Sequence, residues 1–159
     1  MSPEPAPSER RKRIVLVVDD EPGIRRTLRR LLERSLPDVE VLTAEDGLQG
    51  LAQLDAHPVD VVLSDYKMPG MDGLAFLEAA RKAAPGVHRI LVTAFPDQEM
   101  AMKAINQARI EKFLIKPWEP EALLAIVEAA LTARGAEAAR GRAFAVAFHG
   151  LHQRLREQA

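Results

Sequence analysis

Five short runs of β-branched and aliphatic residues, each followed by a longer stretch whose apolar residues recur every three or four positions, constrain this chain most. Period-free apolar runs alternating with helical periodicity are the pattern of repeated strand–helix units, and such units build a parallel sheet. The run Ile14-Val15-Leu16-Val17-Val18 has no polar face, as a strand needs when helices cover the sheet on both sides. Further strands are predicted over 39–42, 59–63, 89–93 and 112–115, and helices over 22–36, 46–56, about 73–83, 97–107 and 119–134. Pro22 suits a first helical turn and Asp72 suits a helix cap. The expected fold is α/β, a doubly wound five-stranded parallel sheet.

At 159 residues the chain fits one such domain, and 47% hydrophobic against 28% charged residues excludes wholesale disorder. The 22 basic and 23 acidic side chains give a net charge of -1, so no global field draws nucleic acid or an anionic membrane. Residues 1–13 hold four basic and two acidic residues, 135–159 the same, leaving 14 against 19 between them. Without cysteine there is no disulfide, thiolate catalysis or sulfur-held metal. No apolar run nears the roughly 20 residues of a membrane span, and a cytoplasmic protein is expected. A proline-rich flexible leader is expected over 1–12, the main domain over 13–134 and a helical extension or linker over 135–159. In that extension Phe144, Phe148, Leu151 and Leu155 form a helical apolar stripe, which Gly141 and Gly150 weaken.

Parallel strands all point one way, so the residues that end them gather at one edge, where ligands of such folds bind. The first strand delivers Asp19 and Asp20, the third Asp65, the fourth Thr93 and the fifth Lys116. Asp19-Asp20 alone would serve as a helix-capping turn, Thr93 alone as a satisfied strand-end hydroxyl. Together, three carboxylates repel, each pair by about 4 kcal/mol at 4 Å and an effective dielectric near 20. One lysine leaves a charge of -2. Either a divalent cation relieves it, Mg2+ or Mn2+ at an all-oxygen site, or one carboxyl keeps its proton. Beside such an ion, Asp65 is the best nucleophile toward a phosphoryl group, with Lys116 neutralising charge and Thr93 completing the site by a hydrogen bond. Trp118 and Phe113 are expected to pack in the core. Arg25, Arg26, Arg29, Arg30 and Arg34 are expected to form a solvated helix face, and the four histidines show no metal-binding spacing.

Val17-Val18-Asp19-Asp20-Glu21, Ser64-Asp65-Tyr66-Lys67-Met68-Pro69-Gly70-Met71-Asp72-Gly73, Thr93-Ala94 and Lys116-Pro117-Trp118 stand in order at the strand ends. In this the chain closely resembles the receiver domain of two-component response regulators, over about residues 13–134. The resemblance implies the sheet order 2-1-3-4-5. It implies that Asp65 accepts a phosphoryl group from a histidine kinase or phosphotransfer protein. Mg2+ would then be held by Asp20, Asp65 and the backbone carbonyl of Lys67, with Asp19 helping through water. It implies that Lys116 pairs with the phosphoryl group and precedes a cis Pro117. Thr93 would shift and let Phe113 turn, changing the surface of the fourth helix, fifth strand and fifth helix. Phenylalanine at 113 departs from the tyrosine often found there and lacks its hydroxyl. Lys67 and Phe95 hold two positions that modulate turnover, and the Phe95 ring is expected to hinder water at the acyl phosphate.

The 25 residues after Arg134 are too few for a DNA-binding or catalytic output. A non-enzymatic regulator is therefore expected, one that promotes its own phosphorylation and dephosphorylation and acts by protein contacts. Its extension would dock on an unidentified output protein or pair with its own copy; alternatively it folds back, or leads to a domain of a longer regulator. A Mg-dependent aspartyl-phosphate phosphatase is the enzyme alternative, but those enzymes usually place a second acid where Lys67 stands.

Overall fold

The computed structural model describes residues 12–94, 97–110 and 112–133. Its elements follow in strict alternation: β1 (Arg13–Val18), α1 (Pro22–Ser35), β2 (Val39–Ala44), α2 (Gly47–Ala56), β3 (Val61–Asp65), α3 (Gly73–Ala83), β4 (His88–Thr93), α4 (Gln98–Asn106), β5 (Lys112–Ile115) and α5 (Pro120–Thr132). All strand pairs are parallel, in the order β2-β1-β3-β4-β5.

The unbroken apolar character of β1 follows from two cores. Val15 and Val17 point to one face, where Leu28 and Leu32 of α1 meet Leu123 and Val127 of α5. Leu16 and Val18 point to the other, packed with Leu54 of α2, Phe76 and Leu77 of α3 and Met100 of α4. A buried side chain of this size contributes about 1.5–3 kcal/mol, so polar substitution on either face of β1 would be severe.

Helix starts are chemically marked. Asp46, Asp72 and Asp97 each accept a hydrogen bond from the backbone N–H three residues on, at 2.8, 2.8 and 2.7 Å, and Pro22 and Pro120 open α1 and α5.

The third strand begins two residues later than its apolar run. The Val59 N–H turns back to the His57 carbonyl at 3.0 Å, while the buried Asp60 side chain accepts the Ile14 N–H at 2.9 Å. Pairing therefore starts at Val61 and runs on through Asp65. The second strand likewise extends past Leu42, because Thr43 and Ala44 pair with Val17 and Val18.

At the opposite edge from the strand ends, Arg13 grips Asp38 with two hydrogen bonds of 2.7 and 2.8 Å, fastening the start of β1 to the start of β2. The hydrogen bond from Arg13 holds the Asp38 carboxyl below the usual carboxylate range. Asp38 is 58% exposed, so solvent screens the pair and its worth stays below about 1 kcal/mol. A depressed folded-state pKa gives stability that is full above the unfolded-state value and lost as pH falls through the folded one. Asp38→Asn is therefore expected to lower the urea midpoint slightly at pH 7, and its difference from wild type should vanish in strong acid.

Candidate functional site

The sheet register brings the strand-end residues together. Val18 pairs with Ser64, so Asp19 and Asp65 follow on adjacent strands; Asp65 pairs with Val92, one before Thr93; Thr93 pairs with Ile115, one before Lys116. Carboxylate oxygens of Asp19, Asp20 and Asp65 all lie within 4.8 Å of one another. Lys116 Nζ stands 3.3 Å from Asp65 Oδ1 and 3.5 Å from Asp19 Oδ2.

Asp19 is buried, Asp65 half-buried and Asp20 exposed, so the cluster opens to solvent on the Asp20 side. Asp19 Oδ1 accepts the Glu21 N–H and Asp65 Oδ1 the Tyr66 N–H, both at 2.9 Å. Burial, followed by the charge of Asp19, pushes the Asp65 carboxyl above its ordinary pKa; Lys116 and the Tyr66 N–H only partly offset this. Burial also works against the charge on Lys116, but Asp19 and Asp65 outweigh it and its pKa ends above the ordinary value. Lys116 is thus a fixed cation, and the cluster around it carries more negative charge than it neutralises.

Three oxygen donors with an excess charge of two suit a small hard divalent ion. A cavity of about 10 Å³, room for about one water, adjoins Asp19, Asp65 and Lys116 and is walled by Ile24, Leu28 and Trp118.

Thr93 is buried at the end of β4, and its carbonyl accepts the Lys116 N–H at 2.9 Å, tying both strand ends together. The Lys116–Pro117 peptide is cis. Phe113 pairs across from Leu91 and packs half-buried on the α2–α3–α4 side. The Lys67 side chain is exposed two residues after Asp65. Phe95 and the stripe Phe144, Phe148, Leu151 and Leu155 lie outside the described residues.

A Response regulator receiver domain model matches residues 15–128. The chain belongs to the response regulator receiver domain family. It is 37% identical over 121 residues to the hydrogenase transcriptional regulatory protein HoxA of Cupriavidus necator, covering 76% of this chain and 24% of that one. The signal receiver domain of an HD domain-containing protein from Pseudomonas fluorescens is 36% identical, with a TM-score of 0.71 over 76% of this chain and 95% of that one. The chemotaxis protein CheY4 of Vibrio cholerae is 30% identical, with a TM-score of 0.68 over 75% and 98%. The receiver spans about a quarter of the length of the curated regulators HoxA and NtrC. Among its described residues no helix is long and apolar enough to cross a membrane.

Arg25, Arg29, Trp118 and Gly73 have contacts near the receiver's site that sequence reasoning did not assign, although Gly73 and Trp118 stand inside the quoted motifs. Arg25, expected among solvated arginines, is largely buried and bonds the Asp19 carbonyl, and Arg29 reaches the Val41 carbonyl at 3.2 Å. Helical spacing holds the missed signal: Arg25 lies three residues before Leu28 and seven before Leu32, on the stripe that α1 buries. Trp118 packs against the α1–α5 core but also walls the small, mostly apolar cavity beside Asp19, Asp65 and Lys116. Gly73 opens α3 hard against the backbone of Asp65: its N–H donates to the Tyr66 carbonyl at 2.7 Å, and a Cβ there would collide with the Asp65 carbonyl oxygen. Gly73→Ala is expected to cost about 1–3 kcal/mol, as overpacking does. Gly23→Ala, with nothing within 4 Å of the added carbon, is expected to be neutral or stabilising; urea midpoints of both variants check the contrast.

Proposed function

We propose that this chain is the receiver of a phosphorelay and that Asp65 is its phosphoacceptor. The observation that carries this reading is the meeting of Asp19, Asp20 and Asp65 within 4.8 Å, with Lys116 3.3 Å from Asp65. An Asp65 carboxylate oxygen bonds phosphorus as the P–N bond of a phosphohistidine donor breaks; the imidazole nitrogen keeps the bonding pair and takes a proton from solvent. Asp20, Asp65 and the Lys67 carbonyl would hold Mg2+, with Asp19 assisting, and the bound ion would supply charge neutralisation and orientation for the phosphoryl oxygens. Lys116, whose charge Asp19 and Asp65 favour, pairs with the new phosphoryl group. Thr93, released from its strand-end position, donates its hydroxyl to a phosphoryl oxygen.

The output follows from the same edge. The Lys116–Thr93 backbone bond couples β4 to β5, so a shift of Thr93 reaches Phe113 and the face of α4, β5 and α5. On that face Met102 is 51% exposed, an apolar contact available to a protein partner. The relatives' greater length supports a second reading, in which this receiver is one part of a longer regulator and residues 135–159 lead toward another domain. In the single-domain reading those residues pair or dock through Phe144, Phe148, Leu151 and Leu155.

Incubation with acetyl phosphate and magnesium is expected to add one phosphoryl group to wild type by intact mass, and none to Asp65→Asn or to wild type with chelator. Unchanged wild-type mass would overturn the assignment. Phe95→Ala is expected to speed loss of the phosphoryl group several-fold, checked by the decay of the phosphorylated mass; equal decay removes the water-shielding role of that ring. Mass in solution with and without phosphodonor tests pairing, which concentration-independent monomers under both conditions reject.

A further inference from the structure

Arg25 stands apart from the other arginines of α1. Arg26 and Arg30 are exposed, whereas the Arg25 side chain is only 15% exposed. Its Nη1 donates to the backbone carbonyl oxygen of Asp19 at 2.7 Å, and its Nη2 stands 3.9 Å from Oε1 of Glu45, in the loop after β2. The other contacts of Asp19 leave that carbonyl to Arg25: the Asp19 N–H bonds Ala44 at 3.1 Å, and its carboxylate accepts the Glu21 N–H. The carbonyl belongs to the peptide that joins Asp19 to Asp20. Rotation of this one peptide moves the two acids relative to each other and to Asp65.

A guanidinium at this place also repels any cation the acids attract. Its charge opposes metal binding while its hydrogen bond orders the donors, so the two effects have opposite signs and are separable by substitution. Charge-assisted bonds of an arginine to a carbonyl are among the stronger ones available, and partial burial limits the competition from water.

We propose that Arg25 is a positioning residue of the phosphoacceptor site: through the Asp19 carbonyl it fixes the peptide between the two acids of the β1–α1 turn, and so sets where their carboxylates stand against Asp65. The part that concerns metal rests on the function proposed above; the part that concerns geometry does not.

Hydrogen exchange of the full chain without divalent ions tests the geometry. Arg25→Gln is expected to raise exchange of the Asp19–Glu21 amides about fivefold, the scale of one lost hydrogen bond, with β3 amides unchanged as the control for folding. Arg25→Lys keeps the charge and one donor and should recover part of the protection. Equal exchange in wild type and Arg25→Gln overturns the proposal. Magnesium titration, followed by emission of Trp118, the single tryptophan and a wall of the cavity, tests the consequence. Arg25→Gln should bind magnesium more weakly although a repelling charge has gone; tighter binding means the guanidinium acts by charge alone and overturns positioning. A wild type with no magnesium response sinks the metal reading instead, and the exchange result still decides the role of Arg25.

Discussion

Repulsion among three carboxylates at one sheet edge is the constraint around which the site is built. The register leaves them no escape: with Val18 opposite Ser64, the acids that follow are neighbours for as long as β1 and β3 stay paired. At separations of about 4 Å each such pair costs on the order of 4 kcal/mol at an effective dielectric near 20, against a typical total stability of 5–15 kcal/mol for a whole domain. Lys116 relieves only part, since it serves both Asp19 and Asp65 at contact distances beyond 3.2 Å. Nothing in fold stability calls for this arrangement, which is why a site that gathers a cation and a phosphoryl group accounts for it better than packing does.

The rest of the molecule holds that arrangement still. Two apolar cores clamp the sheet between α1–α5 and α2–α4, so the strand ends move only with the strands. Local devices then fix the loops that the cores do not reach. Gly73 lets α3 press on the Asp65 backbone, the Tyr66 N–H binds the Asp65 carboxylate, and Arg25 holds the Asp19 carbonyl. Ordered donors are a requirement for phosphoryl transfer, where positioning and charge neutralisation supply nearly all of the catalysis.

Much of this was legible in sequence. Strands that are apolar on both faces announced a covered parallel sheet, and because parallel strands share one direction, Asp19, Asp20, Asp65, Thr93 and Lys116 could be assigned to one edge from their places in the chain. The shift of β3 was not legible, because Val59 looks like a strand residue and only the Val59–His57 turn and the Asp60–Ile14 bond show that pairing begins after it. Arg25 was hidden by its neighbours: five arginines on one helix read as a solvated face, while the first of them lies beside the buried α1 stripe and is half-buried. Trp118 was legible as a packing residue and not as a cavity wall, since α1 and the loop after β5 meet only in three dimensions.

Phe113 bears on how the proposed switch is tuned. A tyrosine at this place could trade one hydroxyl partner for another, giving each state a directional bond of about 0.5–1.5 kcal/mol. The phenyl ring has only packing to set its preference, and it is already half-buried against the α2–α4 side before any phosphoryl group arrives. Under the proposed switch, the unphosphorylated receiver would populate the inward state to an extent fixed by the space near Thr93 and by the apolar area the ring covers. A phosphoryl group shifts that balance only by the difference in its interaction with the two states, a difference that Thr93 and Lys116 must supply between them. Under the proposed switch, the strength of the signal would accordingly rest on the Lys116–Thr93 coupling rather than on the aromatic residue.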